Sequence, residues 1–393
     1  MKSRVIISEK ARQKVLKGFL WVYSSEVLTI EGDPSPGEII DIYDQNKSFL
    51  GKGYLNPLSK LAIRILTRKD EEINREFLKR RIVKAWEYRR RLTHTNSCRI
   101  VFSEADFLPG LIVDKFEDII VTQFLTLGME KLKEIIIDIL SEIFAPKGIY
   151  ERSDVATREK EGLPPIKGPI RGNFDTKILI EENGLRILID IENGQKTGYF
   201  LDQRENRKAL QGLVKDAEVL DVFCYTGSFT LHALKYGAKK VVAVDSSKSA
   251  IELAKENIEI NGFIDKVELI EDNAFDILKK FHRERRTFDL VILDPPSFVK
   301  NPKNLESAIK GYKEINLRAM KLLKDGGFLI SCSCSYHVTP ERFKQIIESA
   351  ASDANRILRL IEMKYQSKDH PILLSHPETL YLKCGIYQVL KKP

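Results

Sequence analysis

The chain has 393 residues, 43% of them hydrophobic, and a formal net charge of +8. This is too long for one ordinary domain and apolar enough for proper cores, yet no apolar run approaches the ~20 residues that a membrane-spanning helix needs. The five scattered cysteines (Cys98, Cys224, Cys332, Cys334 and Cys384) argue against a disulfide framework and for a reducing compartment.

The opening stretch "MKSRVIISEKARQKVLKGFLW" lacks the uninterrupted apolar core of a secretory signal, so a soluble, cytoplasmic protein is expected. Residues 1–92 hold 20 Lys+Arg against 12 Asp+Glu, which accounts for the whole surplus. A localised basic surface is the footprint of a nucleic-acid partner, although a solvated basic helix would carry the same charge.

Residues 1–68 read as a small β-rich module. "GEIIDIYD" and "KLAIRIL" alternate, and "GDPSPG" and "LNPLSK" carry turn chemistry. Residues 71–92 read as a helix with Ile73, Phe77, Ile82, Ala85, Trp86 and Leu92 on one face and Lys and Arg on the other. Residues 98–190 read as an α+β segment. Its strands are "CRIVFSE", "GLIVDKF", "DIIVTQFL" and "LRILIDIENG"; "MEKLKEIIIDILSEIF" is a helix and "EGLPPIKGPIRGN" a Pro/Gly-rich loop.

From about residue 190 strands and helices alternate. "AEVLDVF", "KKVVAVD", "KVELIED", "FDLVILD" and "GGFLISCS" are continuous apolar strands, as in a parallel sheet covered on both faces. "SKSAIELAKENIEING" is a Ser-capped helix, and "ETLYLKCGIYQVL" adds a further strand. This predicts a doubly wound α/β domain of Rossmann type.

Ligands of such domains bind outside the carboxyl ends of the strands. "LDVFCYTGSFTLHAL" is strand, turn and helix without G-x-G-x-x-G or a P-loop, so a dinucleotide or nucleoside triphosphate is disfavoured. Asp221 ends the first strand and suits an ammonium group. Asp245 ends the second and suits ribose hydroxyls. Tyr225 and Gly227 form the turn, and Asp272 and Asn273 follow the third strand, where adenine would lie. A ligand with these groups and no pyrophosphate is S-adenosylmethionine. A lone Asp at such a place commonly caps a helix; the combination favours a cofactor site.

"FLISCSCSYH" poses a separate question, because it spends two cysteines one residue apart. A metal pair is disfavoured, since C-x-C without a second cluster is poor zinc spacing and His337 is a weak third ligand. The remaining readings are a buried pair and a nucleophile. Methylating carbon 5 of a pyrimidine requires a thiolate at carbon 6 and a polar group on the pairing edge. Cys334 and Asp294, the acid of "FDLVILDPPSF", meet that description. Cys334 lies nearer the carboxyl end than Cys332, for which a core thiol is the plainer reading. Cys224 reads as packing. His337 and His370 carry no assigned role, Trp21 reads as core rather than an RNA-stacking ring, and one or two of Arg89, Arg90 and Arg91 would reach phosphate.

On these motifs the chain resembles the class I methyltransferases, and over its whole length it is similar to the RlmI-like family of large-subunit ribosomal RNA cytosine-5 methyltransferases. "KGFLWVYSSEV", "VFSEADFLPGLIVDKF", "RSDVATREKEGL", "GQKTGYFLDQREN", "DPPSF", "SCSCS" and "DHPILLSHPETLYLK" carry the resemblance. It implies a PUA-like RNA-binding domain at 1–70, a linker helix and α+β central domain at 71–190, and a Rossmann-like S-adenosylmethionine-dependent methyltransferase domain at 191–393. It implies 5-methylcytosine formation in 23S ribosomal RNA through a Cys334 adduct, with Asp294 on the cytosine. It also places Tyr199, Gln203 and Arg204 of "TGYFLDQR" near the cofactor. The family relationship leaves oligomeric state open, a homodimer included.

The chain departs from the wider pattern at the position after the proline in the fourth-strand motif. Many cytosine-5 RNA methyltransferases have a second cysteine there; this chain has Pro296-Ser297. Asp294, Cys332 or water would then take the C5 proton. The rival readings are uracil-C5 methylation, nitrogen methylation with dispensable cysteines, and a non-catalytic RNA-binding ribosome-assembly factor.

Overall fold

The computed structural model describes residues 3–299 and 304–392. They pack as two compact units. Packing does not follow a single cut near residue 190. Asp190–Leu201 and Lys368–Thr379 pack with the residues up to Ile178, while Leu179–Ile189 packs with the rest.

The first unit opens with six strands: β1 (Arg4–Ile7), β2 (Trp21–Val22), β3 (Val27–Glu31), β4 (Ile39–Tyr43), β5 (Phe49–Leu55) and β6 (Ile63–Thr67). They form one sheet in the order β2-β6-β5-β4-β1-β3. Helix α1 (Glu9–Leu16) sits between β1 and β2 and buries Ala11 and Val15 in the module's core. Trp21 is half-buried there, a core ring as expected; its Nε1–H donates to Glu104 at 2.9 Å and its ring meets the His376 ring at 4.3 Å.

Helix α2 (Arg75–Leu92) starts at Asn74, whose side-chain oxygen accepts from the Phe77 amide at 3.1 Å. It buries Phe77, Leu78, Ile82 and Ala85, but Leu92 is 39% exposed. Its basic face is partly neutralised by acids of the same unit. Arg75 and Lys79 pair with Glu142, and Arg80 pairs with Glu71. Arg89 is fully buried, with its guanidinium on both oxygens of Asp106 (2.5 and 2.6 Å) and on the carbonyls of Arg99 and Asp369. It is therefore structural, and of the three arginines only Arg90 and Arg91 are exposed.

The second sheet of this unit contains β7 (Cys98–Phe102), β8 (Leu111–Phe116), β9 (Ile119–Phe124), β10 (Gly148–Ser153) and β11 (Ile166–Arg171), in the order β11-β10-β9-β8-β7. The expected single helix is broken into α3 (Leu127–Lys131) and α4 (Lys133–Phe144). The stretch expected to be a loop, "EGLPPIKGPIRGN", contains β11, antiparallel to β10 with Pro169 opposite Tyr150. An edge strand tolerates a proline that an interior strand would exclude, because one side of its ladder needs no donor. His370 is buried in this unit beside Asp369, whose carboxylate accepts from the Arg99 amide at 3.0 Å.

In the second unit a hairpin, β12 (Lys177–Glu182) and β13 (Leu185–Asp190), precedes the short helix α5 (Arg204–Lys208). A seven-stranded sheet follows. Its strands are β14 (Glu218–Val222), β15 (Lys240–Asp245), β16 (Val267–Glu271), β17 (Phe288–Leu293), β18 (Leu323–Ser333), β19 (Arg356–Lys364) and β20 (Lys383–Lys391). Between them run α6 (Ser228–Lys235), α7 (Lys248–Ile260), α8 (Ala274–Arg283), α9 (Leu305–Leu322) and α10 (Pro340–Asp353).

The strand order is β16-β15-β14-β17-β18-β20-β19. The first five are parallel, and β20 runs antiparallel between β18 and β19. Side chains alternate across each strand. Leu220, Val222 and Leu329 join the core under α8, α9 and α10, with Phe281, Ile315 and Phe343. Val219, Ile330 and Cys332 join the opposite core with Phe229 and Ala233 of α6. Burying each large apolar side chain contributes roughly 1.5–3 kcal/mol, so both cores hold the sheet rigid beneath its carboxyl edge. The doubly wound α/β reading is correct, and the order reverses between β14 and β17, which opens the ligand crevice at their carboxyl ends.

Candidate active site

The carboxyl ends of the five parallel strands β14 to β18 build the crevice. Asp221, the fourth residue of β14, is fully buried. Its Oδ2 accepts from the Thr230 hydroxyl at 2.7 Å, while Oδ1 is buried without a partner. Burial raises its pKa to about 7, Thr230 opposes that shift, and the charge of Asp294 adds to it. A buried acceptor with no donor is costly, and an ammonium group would satisfy it.

Asp245 ends β15. Its carboxylate accepts from the Tyr225 amide and from the Ser247 amide, each at 2.9 Å. A carboxylate has about four lone-pair directions, so two backbone donors leave acceptor capacity for hydroxyls. The turn from β14 into α6 is strained. Phe223 (φ 66°) and Tyr225 (φ 50°) are both left-handed non-glycine residues, each at a cost of roughly 1–3 kcal/mol, and such strain clusters at ligand sites. Gly227 (φ 79°) caps α6, and a Cβ there would stand 3.3 Å from Ala254 Cβ. Cys224 lies in the core, as the sequence suggested.

Asp272 accepts from the Asn273 amide at 2.7 Å, and its own amide donates to the Asp245 carbonyl at 3.1 Å. Asn273 caps α8, its side-chain oxygen accepting from the Phe275 amide at 2.9 Å. The structure thus gives Asn273 a helix-capping role at the place where the sequence suggested adenine.

Asp294 follows β17 directly. Its Oδ1 accepts from Gln203 Nε2 at 2.8 Å, and Gln203 Oε1 accepts from Asn206 Nδ2 at 2.6 Å. Gln203 and Asn206 are buried, so this relay fixes the carboxylate. Cys334, just past β18, is half-buried, with Sγ 3.9 Å from the Pro295 carbonyl. The thiol and the Asp-Pro-Pro turn therefore share one rim. Cys332 faces the core instead. It is fully buried, its register partner across the ladder is Cys384, and that neighbour together with burial pushes its thiol well up. His337 is exposed.

The residues of "TGYFLDQR" part company. Tyr199 is buried in the first unit. Gln203 serves Asp294. Arg204 faces Glu182 at 3.7 Å, in a buried ion cluster where Arg207 grips Glu182 at 2.7 and 2.9 Å. Burial alone would raise the Glu182 pKa, but Arg207, His232 and Arg204 more than offset it and hold the acid below its ordinary value. Sequence reasoning missed Asn206, Thr230 and Glu182. Asn206 carried a weak signal, three residues after Gln203 on a short helix; Glu182 carried none.

A parallel sheet in this order, with acids at the ends of β14 and β15 and no glycine-rich phosphate loop, defines a methyltransferase of the S-adenosylmethionine type. Residues 170–372 match the family described as S-adenosylmethionine-dependent methyltransferase, and residues 5–68 match the PUA-like domain family. The chain is 40% identical over 394 residues to ribosomal RNA large subunit methyltransferase I of Alteromonas mediterranea, covering 99% of each chain. It is 39% identical over 389 residues to the protein of that name from Cronobacter sakazakii, covering 98% of each. A solved structure complexed with SAH superposes with a TM-score of 0.86 at 22% identity, over 99% of this chain and 100% of the other.

The chain belongs to the ribosomal RNA large subunit methyltransferase I family, and its cofactor is S-adenosylmethionine. The unpartnered Asp221 oxygen and the Asp245 carboxylate fit that group. Among the described residues no helix is long and apolar enough to cross a membrane.

Proposed function

We propose that the chain forms 5-methylcytosine in large-subunit (23S) ribosomal RNA, using Cys334 as nucleophile and Asp294 on the pairing edge of the base. The observation that carries the reading is the Cys334 sulfur resting 3.9 Å from the carbonyl of Pro295, beside the anchored Asp294. Nitrogen methylation has no use for a thiol there. The names of the curated relatives supply the ribosomal RNA substrate class, and the PUA-like match and the exposed Arg90 and Arg91 suit an RNA partner. The proposed organisation is a PUA-like RNA-binding domain at 1–70, a linker helix and central domain at 71–190, and the methyltransferase domain at 191–393.

Bound S-adenosylmethionine supplies an electrophilic methyl group. Asp221 would hold its ammonium, Asp245 its ribose hydroxyls, and Tyr225 and Gly227 would shape the turn against it; Asp272 and Asn273 would border the adenine. The Cys334 thiolate bonds to C6 of cytosine, and the C5–C6 electron pair becomes nucleophilic at C5. Asp294 accepts hydrogen bonds from the base edge and fixes its plane. C5 would take the methyl group as the sulfonium S–CH3 bond breaks and S-adenosylhomocysteine leaves; the C5 proton then passes to water, Asp294 or Cys332, the C5–C6 double bond re-forms, and the C6–S bond breaks to return the thiolate.

The test is product analysis. Wild-type protein acting on ribosomal RNA should yield 5-methylcytidine in nucleoside digests. Cys334→Ala should yield none while still binding S-adenosylmethionine. Methyl transfer by Cys334→Ala, or a product methylated at uracil or nitrogen, would overturn the proposal.

A further inference from the structure

Lys383 is the first residue of β20 and stands directly across the ladder from Ser333, the residue before Cys334. Its side chain is almost wholly buried, with 1% of the residue exposed. The ammonium donates to the Ser335 carbonyl at 2.5 Å and to the Tyr381 carbonyl at 2.9 Å. Lys383 thus touches the chain on both sides of Cys334, through the ladder before it and a hydrogen bond after it.

A buried lysine normally pairs with a carboxylate, because an uncompensated buried charge is expensive. Among the described residues none of the salt bridges involves Lys383. Burial lowers its pKa to about 8, and the one charge that favours its protonated form is that of Cys334. Two carbonyls account for two of its three N–H groups, leaving one donor.

We infer that Lys383 is a positioning residue for the methyl-transfer reaction, fixing the segment that carries Cys334 and stabilising the Cys334 thiolate by its positive charge. This rests on the reading of Cys334 as nucleophile. A neighbouring cation raises the thiolate fraction at neutral pH, and the thiolate is the reactive form. No bond to Lys383 forms or breaks. When Cys334 ionises its proton goes to solvent, and Lys383 gains the counter-charge that its buried site lacks.

The experiment is iodoacetamide alkylation of the full chain, read at the Cys334 peptide by mass spectrometry as a function of pH. The other four cysteines are buried, so labelling is selective. In the wild type, the midpoint should lie below the ordinary thiol value of about 8.5. Lys383→Met should raise it by about one unit, a roughly tenfold slower reaction at pH 7, while Lys383→Arg keeps it near the wild-type value. A wild-type midpoint at or above the ordinary value overturns the inference without any variant. So does a folded Lys383→Met protein with an unmoved midpoint. Failure of the nucleophile reading would show separately, as methyl transfer that survives Cys334→Ala.

Discussion

Gln203 donates to Asp294 at 2.8 Å while its own carbonyl is held by Asn206, so the acid of the Asp-Pro-Pro turn is aimed by a segment 91 residues away in the chain. A hydrogen bond to a charged group is worth about 1.5–3 kcal/mol. Gln203→Leu should therefore lower kcat by about one to two orders of magnitude. Calorimetric affinity for S-adenosylmethionine should change little; a large loss would place Gln203 on the cofactor instead.

With Asp221 as the proposed partner of the ammonium group, cofactor binding should be pH-dependent. Its folded pKa of about 7 means that near neutrality the carboxyl is half protonated. An ammonium ligand prefers the ionised form, so binding should release protons near pH 7, and affinity should fall as pH drops below 7, by up to about tenfold per unit. Titration calorimetry in buffers of different ionisation enthalpy reads the release directly.

The same shift sets a stability cost. A carboxyl whose folded pKa is raised stabilises the fold below its unfolded pKa of about 4, and loses that contribution as pH rises through about 7. Asp221→Asn should consequently raise the stability of the ligand-free protein at pH 8, on the order of 2–4 kcal/mol, while abolishing tight cofactor binding. Chemical denaturation of both proteins at pH 8 checks it.

His232 works in the other direction. Burial lowers its pKa to about 4, and its ring is held neutral between the Ser228 carbonyl at 2.7 Å and the Asn183 amide at 3.0 Å. The unfolded chain takes up the proton near pH 6.5 and the folded one only near 4, so stability is lost as pH falls across that window. The loss should be about 1.4 kcal/mol per unit. Comparing wild type with His232→Gln over pH 4–7 isolates this from the opposing trend of Asp221.

The three consecutive arginines should behave differently. Arg89→Met leaves Asp106 buried without its cation, and should cost about 3–5 kcal/mol in denaturant unfolding. Arg90→Ala and Arg91→Ala should leave stability unchanged. Each should reduce the slope of log RNA affinity against log salt by about one if that arginine neutralises a phosphate. An unchanged slope would make that surface merely solvated.

Much of the fold and site was legible in the sequence because the relevant signals are local. Apolar runs marked β14 to β18, and acids at strand ends marked Asp221, Asp245 and Asp294 from chain order alone. What stayed hidden depended on partners distant in sequence. Pro169 masked β11, since sequence does not say which strand is an edge. The pairing of Arg204 with Glu182 was not legible, because Glu182 lies on a separate hairpin. The sequence did not say which of Arg89, Arg90 and Arg91 could reach phosphate; Asp106 and the Asp369 carbonyl enclose Arg89. Lys383 ends the stretch "DHPILLSHPETLYLK", and the β18–β20 ladder and the Ser335 carbonyl, both distant in sequence, connect it to the segment of Cys334.

The most direct test of the covalent mechanism uses ribosomal RNA containing 5-fluorocytidine, incubated with the protein and S-adenosylmethionine. Fluorine at C5 replaces the proton whose loss frees the enzyme, so a stable protein–RNA adduct should accumulate and map to Cys334 by mass spectrometry. Absence of an adduct, under conditions where unmodified RNA is methylated, or an adduct at any other cysteine, would contradict the account.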